Sequence, residues 1–342
     1  MGKTVYFLGS GASKASSGLP VMKGFFRRDD FAGPDYRNLA EFISGRFPGT
    51  KPKDLNIEDV ITCLELSLDR VGSFGRGYDG RVLDARREFD KLVANRLAIP
   101  EGKSSDLHES LMGKDIAGAY CKDTIITVNY DLVVDQTLYE NSAKDGRRTP
   151  LDCRLGRMFS LLDESRLHLY SGRRPSLVPY DEESGFFLKL HGSLDWLYCI
   201  NEACTHHRSF FANWIGSSDM HSRSGDPCVM CGAPLVSVLV PPTMMKSFAQ
   251  FPKLGLLWSL AHRELSQADR IVVFGLSFAP SDYYLRWLFR SAITESPSQP
   301  QIFNINTDSG ESAEAITELT GVVPKKCQTV DDYHRMLVNQ PP

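Results

Sequence analysis

The sequence predicts an α/β fold: a parallel sheet with helices on both faces, carrying a helical insertion and a small cysteine-bearing module. Three observations predict it. Short β-rich runs alternate with stretches of helical periodicity, as in a sheet covered on both faces. Each run stops at Gly, Asn, Asp, His or Ser, which gathers polar turns beyond the carboxyl ends of the strands, where such sheets bind ligands. Four cysteines also fall in two close pairs in the second half of the chain.

The first run, Val5-Tyr6-Phe7-Leu8, ends at Gly9-Ser10-Gly11-Ala12-Ser13 and reads as a strand entering a glycine turn. From Asp35 to about Gly118 the pattern is helical. Ile57, Val60, Ile61, Leu64, Leu68 and Val71 recur at helical spacing, and Leu83 to Leu97 carries alternating charge, so residues 35–118 read as an insertion. Thr124-Ile125-Ile126-Thr127-Val128 is a strand buried on both faces, running into Asn129-Tyr130-Asp131. Residues 149–183 are weakly patterned, with short strands suggested near Leu167 to Tyr170. Phe186 to Leu190 is another buried strand, ending at His191-Gly192-Ser193, and a cysteine-containing excursion follows. Leu254, Leu257, Trp258, Ala261, Leu265 and Ala268 mark a helix, and Arg270 to Phe274 a strand ending at Gly275. A helix over Leu285, Leu288, Phe289 and Ala292 then precedes a last strand, Gln301 to Asn306. The sheet domain is thus expected over 1–34, 119–198 and 237–342, with the cysteine module over 199–236.

Composition narrows the function classes. The chain has 342 residues and a net charge of −3 (39 Lys+Arg against 42 Asp+Glu), so no strongly basic face for direct nucleic-acid binding is implied. Apolar runs such as Ile271 to Phe274 are far shorter than the roughly 18 residues of a membrane span. With no signal-peptide core after Met1, the expectation is a cytoplasmic protein without a membrane partner. Eight cysteines are too few for a disulfide scaffold.

Several residue groups could carry chemistry. The glycines of Gly9-Ser10-Gly11-Ala12-Ser13 would let backbone N–H groups approach a pyrophosphate at a helix N-terminus, although Lys14 replaces the third glycine of a dinucleotide fingerprint; an ordinary tight turn is the alternative. Asn129 and Asp131 read either as caps or as polar ligands, and His191 either as a satisfied core histidine or as a base. Gly275 and Ser277 could meet a phosphate or ribose, and Asn306 and Asp308 offer an amide and a carboxylate to ribose hydroxyls. Cys199 and Cys204, with Cys228 and Cys231, supply the four ligands of a closed tetrahedral zinc site, structural rather than catalytic. A Cys₃His variant through His206 or His207 stays open, while Cys63, Cys121, Cys153 and Cys327 read as core or surface thiols.

Taken in order, Gly9-Ser10-Gly11-Ala12-Ser13, Ser17-Gly18-Leu19-Pro20, Thr127 to Asp131, Leu190-His191-Gly192-Ser193, the four cysteines, Phe274 to Ser277 and Asn306-Thr307-Asp308 resemble the sirtuin superfamily. The insertion and Asn56-Ile57-Glu58-Asp59-Val60 resemble the bacterial sirtuin-like domains of anti-phage defence systems. The resemblance implies a Rossmann-like NAD-binding domain, a structural Zn²⁺ module and cleavage of the nicotinamide–ribose bond. Carried over, Gly9, Ser10, Gly11, Ala12 and Ser13 would hold the pyrophosphate and ribose region, with Gly275, Ser277, Asn306 and Asp308 on the adenosine side. Asn129 would position the ribose or a water, Asp131 the nicotinamide end, and His191 would act as general base. Two departures bear on the acceptor. Pro20 is followed by Val21-Met22-Lys23 where deacylases have Asp-Phe-Arg, and Val240-Pro241-Pro242-Thr243-Met244 stands where they present a strand-pairing Phe-Gly-Glu segment; prolines cannot donate to a paired peptide. The expectation is an NAD⁺ hydrolase that depletes NAD during phage infection, held in check by homo-oligomeric assembly or by a separately encoded ATPase or nucleic-acid sensor. Its rivals are an NAD-dependent protein deacylase or ADP-ribosyltransferase, and a non-catalytic NAD or ADP-ribose sensor.

Overall fold

The computed structural model describes residues 2–22, 24–68, 80–99, 111, 122–143, 185–205, 207, 211–212, 225–240, 251–307 and 310–339. Strand β1 (Thr4–Leu8) leads into α1 (Ser10–Ser17), followed by α2 (Arg37–Arg46), α3 (Ile57–Leu68), α4 (Gly80–Arg96) and β2 (Thr124–Thr127). Next come α5 (Val133–Ala143), β3 (Phe187–Lys189), β4 (Gly192–Cys199), β5 (Phe211–Ala212) and β6 (Leu235–Leu239). The chain closes with α6 (Pro252–Ser266), β7 (Arg270–Phe274), α7 (Tyr283–Thr294), β8 (Gln301–Ile305), α8 (Glu311–Thr320), β9 (Lys325–Cys327) and α9 (Val330–Val338).

Six parallel strands form the main sheet in the order β3-β2-β1-β7-β8-β9. Counted within the sheet this is 3-2-1-4-5-6, the doubly wound Rossmann order, whose direction reverses between β1 and β7. Every residue of β1 and β2 is buried, which explains their unbroken β-rich runs. The register sets Leu8 beside both Thr127 and Phe274, so the turns after β1, β2 and β7 emerge side by side at the reversal point.

A second sheet, β5-β4-β6, is antiparallel. The sequence reading placed no strand at β4, because the buried Asp195 breaks its apolar run. Gly192 opens this strand at φ 86°, and a Cβ there would lie 2.0 Å from Val238 O, so only glycine fits. The expected last strand, β8, is followed by β9, which pairs with it at the sheet's edge. Lys325-Lys326-Cys327 is too short and polar to announce a strand, although lysines suit an edge. Val71, the segment Leu167 to Tyr170, Cys121, Cys153 and His206 lie outside the described residues.

The insertion has its own core. Phe25, Phe26, Leu39, Ile43, Val60, Ile61, Leu64, Phe89 and Leu92 pack together with Leu194 of β4 and Leu239 of β6. Arg86 of α4 is fully buried among these elements. It pairs with Asp90 one turn on and with Glu65 of α3 at 2.7 Å, and donates to Ser237 O at 3.2 Å. Asp90 accepts from Ser237 N at 3.2 Å. Side chains of α4 therefore occupy both backbone groups of Ser237 on β6, the edge strand of the small sheet. Among the described residues no helix is long and apolar enough to cross a membrane.

Candidate active site

At the reversal point the two glycine turns interlock. Gly9 N donates to Phe274 O and Gly11 N to Gly275 O, both at 2.9 Å, and Gly275 adopts φ 65°. A Cβ on Gly275 would lie 2.1 Å from Ala12 N, so the close approach of the two backbones requires glycine. The N-terminus of α1 is thereby fixed over the sheet.

Beside it, Asn129 Nδ2 donates to Gly9 O at 3.0 Å and to Ser13 Oγ at 2.9 Å. With both amide hydrogens spent on the turn, the carboxamide oxygen is the atom Asn129 can offer a ligand. Asp131 is buried, and its Oδ1 accepts from Val133 N at 3.1 Å. Burial pushes its carboxyl up, opposed chiefly by the Lys189 ammonium. Lys189, fully buried at the end of β3, donates at 2.7 Å to both Asp131 O and Asp135 Oδ2. Asp195, bonded to Ser193 Oγ, is raised to about 7, first by burial and then by the charge of Asp135.

His191 follows β3 and is buried. Its Nε2 lies 3.1 Å from Asp282 Oδ2, and its ring stacks on Trp258 at 6.1 Å between centroids. Asp282 is the N-cap of α7 and accepts from Leu285 N through Oδ1. One carboxylate thus caps a helix with one oxygen and orients the imidazole with the other, the geometry of a supported base. Trp258 Nε1 donates to Leu190 O at 2.9 Å, and Tyr130 Oη donates to Val240 O at 2.8 Å. Burial pushes the Tyr130 hydroxyl far up, with the Glu58 and Asp282 charges adding to it.

These groups meet in one cavity between the strand ends and helices α3 and α4. Ser10, Asn129, Asp131, His191, Gly275 and Ser277 line it, together with Tyr130 and Asp282. Its other wall is Phe25, Ile57, Glu58, Ile61, Phe89, Val93 and Leu97, mostly from α3 and α4. Gly9, Gly11, Ala12 and Ser13 stand behind the lining as the turn that holds Asn129. Asn306 lies beyond β8 and donates to Leu276 O at 3.4 Å, beside Ser277 rather than on the cavity wall; Asp308 lies outside the described residues. Sequence reasoning missed Asp282, Glu58 and Trp258. Asp282 had a local signal, an acidic residue before the apolar periodicity of α7, and Glu58 stood in the Asn56 to Val60 segment that carried the resemblance, with no chemical role read for it.

The sulfur atoms of Cys199, Cys204, Cys228 and Cys231 lie within 4.8 Å of one another. The pairs Cys199–Cys231 and Cys204–Cys228 are 3.5 and 3.9 Å apart, against about 3.8 Å expected between thiolates on one tetrahedral zinc. His207 is close but directs Nδ1 to Cys199 O at 2.8 Å, so the cluster is a Cys₄ set. The residues fit a structural Zn²⁺ with all four positions filled by protein.

The class so defined is a Rossmann-like α/β domain whose catalytic-looking pocket sits at the topological reversal, with helical insertions and a Cys₄ cluster fitting zinc. No family model and no curated protein matches the chain. Solved structures similar to it include a Sir2 homologue bound to ADP-ribose, with 16% identity, a TM-score of 0.44 and coverage of 100% of this chain and 96% of that one. A Sir2 homologue in complex with NAD is 17% identical with a TM-score of 0.45, over 98% and 88% of the chains. A Sir2 structure holding 2′-O-acetyl-ADP-ribose and a deacetylated peptide is 14% identical with a TM-score of 0.40, over 98% and 92%.

Proposed function

We propose that the cavity binds NAD and cleaves its nicotinamide–ribose bond. The observation that carries this reading is the convergence of Asn129, Asp131 and the His191–Asp282 pair beside a helix N-terminus at the sheet's reversal point. Nicotinamide leaves as a neutral group, so no acid is needed, and catalysis reduces to positioning and stabilising the ribosyl cation. Asn129 would hold the ribose or the attacking water through its amide oxygen. His191, oriented by Asp282, would accept the proton of the attacking hydroxyl. Asp131 is fixed from behind by Lys189 and Val133 and would set the nicotinamide end.

For the acceptor we favour water. Arg86 and Asp90 occupy the backbone groups of Ser237 on the edge strand β6, so a peptide pairing at that residue would have to displace them. The second reading is NAD-dependent removal of an acyl group from lysine, the chemistry of the complex with a deacetylated peptide named above. An antiviral effector controlled by assembly or a partner is the more specific proposal suggested by the motif resemblance. Nicotinamide release from NAD, measured with and without an acetyl-lysine peptide at several protein concentrations, separates these readings. Release without peptide supports the hydrolase, and a rise with protein concentration supports control by assembly. Strict dependence on the peptide supports the deacylase, and no release in either condition contradicts catalysis by this chain alone.

A further inference from the structure

The cavity contains a carboxylate that the motif order did not single out for chemistry. Glu58 lies in the first turn of α3 and is 7% exposed, within a wall otherwise built from Ile57, Ile61, Phe89 and Val93. A buried carboxylate among apolar neighbours is costly unless it is held. Two features hold it. The N-terminal end of α3 favours negative charge, with Asn56 Oδ1 accepting from Glu58 N at 2.9 Å, and Ser281 Oγ donates to Glu58 Oε2 at 3.0 Å. Ser281 immediately precedes Asp282, which holds His191, so the Glu58 carboxylate and the supported imidazole are anchored to adjacent residues and line the same space.

We infer that Glu58 is a further catalytic residue, a carboxylate brought by the helical insertion to the nicotinamide ribose, where it stabilises the positive charge that develops as the glycosidic bond breaks. The inference rests on the NAD-cleaving reading above. In the step itself the bond between C1′ and the nicotinamide nitrogen breaks and its electron pair leaves with neutral nicotinamide. The ribosyl cation is then captured by water, whose proton passes to His191, giving ADP-ribose, nicotinamide and one proton. Glu58 forms no bond. Its charge opposes the cation in a pocket where water screens little, and the interaction is stronger in the transition state than with bound NAD. On this account the insertion is part of the catalytic machinery as well as a wall.

The competing role is a strut that fastens α3 to the loop before α7 through Ser281. Steady-state kinetics, ADP-ribose affinity by calorimetry and thermal midpoint on wild type, Glu58→Gln and Glu58→Asp distinguish the two. Glu58→Gln keeps the shape and a hydrogen-bond acceptor but loses the charge. It should lower kcat by about 100-fold or more, with KM, ADP-ribose affinity and midpoint nearly unchanged. Glu58→Asp, which keeps the charge, should recover part of the rate. A Glu58→Gln protein that keeps wild-type kcat, or loses midpoint and affinity instead, overturns the inference while leaving the NAD-cleaving reading intact. A folded wild type that releases no nicotinamide overturns both.

Discussion

On one side of the cavity, Ser10, Asn129, Asp131, His191 and Gly275 come from strand ends and their turns. On the other, Ile57, Ile61, Phe89, Val93 and Leu97 come from α3, α4 and the turn after α4, with Glu58 the carboxylate of that wall. The strand-end wall is polar and pinned, because the register of β1, β2 and β7 fixes its turns and the glycine contacts allow no Cβ between them. The helical wall is apolar and rests on a separate core. Reacting groups belong where backbone geometry is rigid, whereas exclusion of water needs only a packed apolar face.

The largest effect should come from the strand-end wall. His191→Ala and Asn129→Ala should each lower nicotinamide release by about 10²–10⁴-fold, and the His191 variant should keep a native circular dichroism spectrum. Activity retained in both would end the division of labour drawn above. Arg86→Ala tests the helical wall. Removing it leaves Asp90 buried without its cation and the Ser237 carbonyl without its donor, at a cost of about 3–5 kcal/mol; denaturant unfolding measures this. Asp282→Asn preserves a good helix cap but removes the charge behind His191, so kcat should fall by about 10–100-fold at unchanged thermal midpoint. Chelation of Zn²⁺ should lower the midpoint through the small sheet, with about one zinc per chain found by elemental analysis of the untreated protein.

The smallest effect concerns pH. The carboxyl of Asp195, near 7 in the fold, lies above the roughly 3.9 of an unfolded Asp. The fold therefore favours its protonated form, and its contribution to stability is present below about pH 4 and lost as pH rises through about 7. Asp131 is shifted in the same direction. Asp195→Asn should flatten the dependence of unfolding free energy on pH across this window; an unaltered slope would mean that Asp195 remains ionised.

Much of the strand-end wall was legible in the sequence because its signals are local. A β-rich run followed by Gly, Asn or His reports a strand and its turn together, and β1, β2, β3, β7 and β8 were read to within a residue or two. The Cys₄ set was legible for the same reason, as two short-range pairs. The helical wall's chemistry was not. Glu58 stood in a segment that carried the resemblance, but its chemistry depends on the fold, which brings it to Ser281, 223 positions away. Likewise, the pairing of His191 with Asp282 and the closure of β6 by Arg86 depend on contacts that no local pattern encodes.

The measurement that tests the account most directly is a crystal structure of His191→Ala soaked with NAD, the substitution serving to slow turnover. The account predicts the nicotinamide ribose between Asn129 and Glu58, with the pyrophosphate over the N-terminus of α1. NAD bound elsewhere, or bound in the cavity with its nicotinamide ribose directed away from both residues, would contradict it.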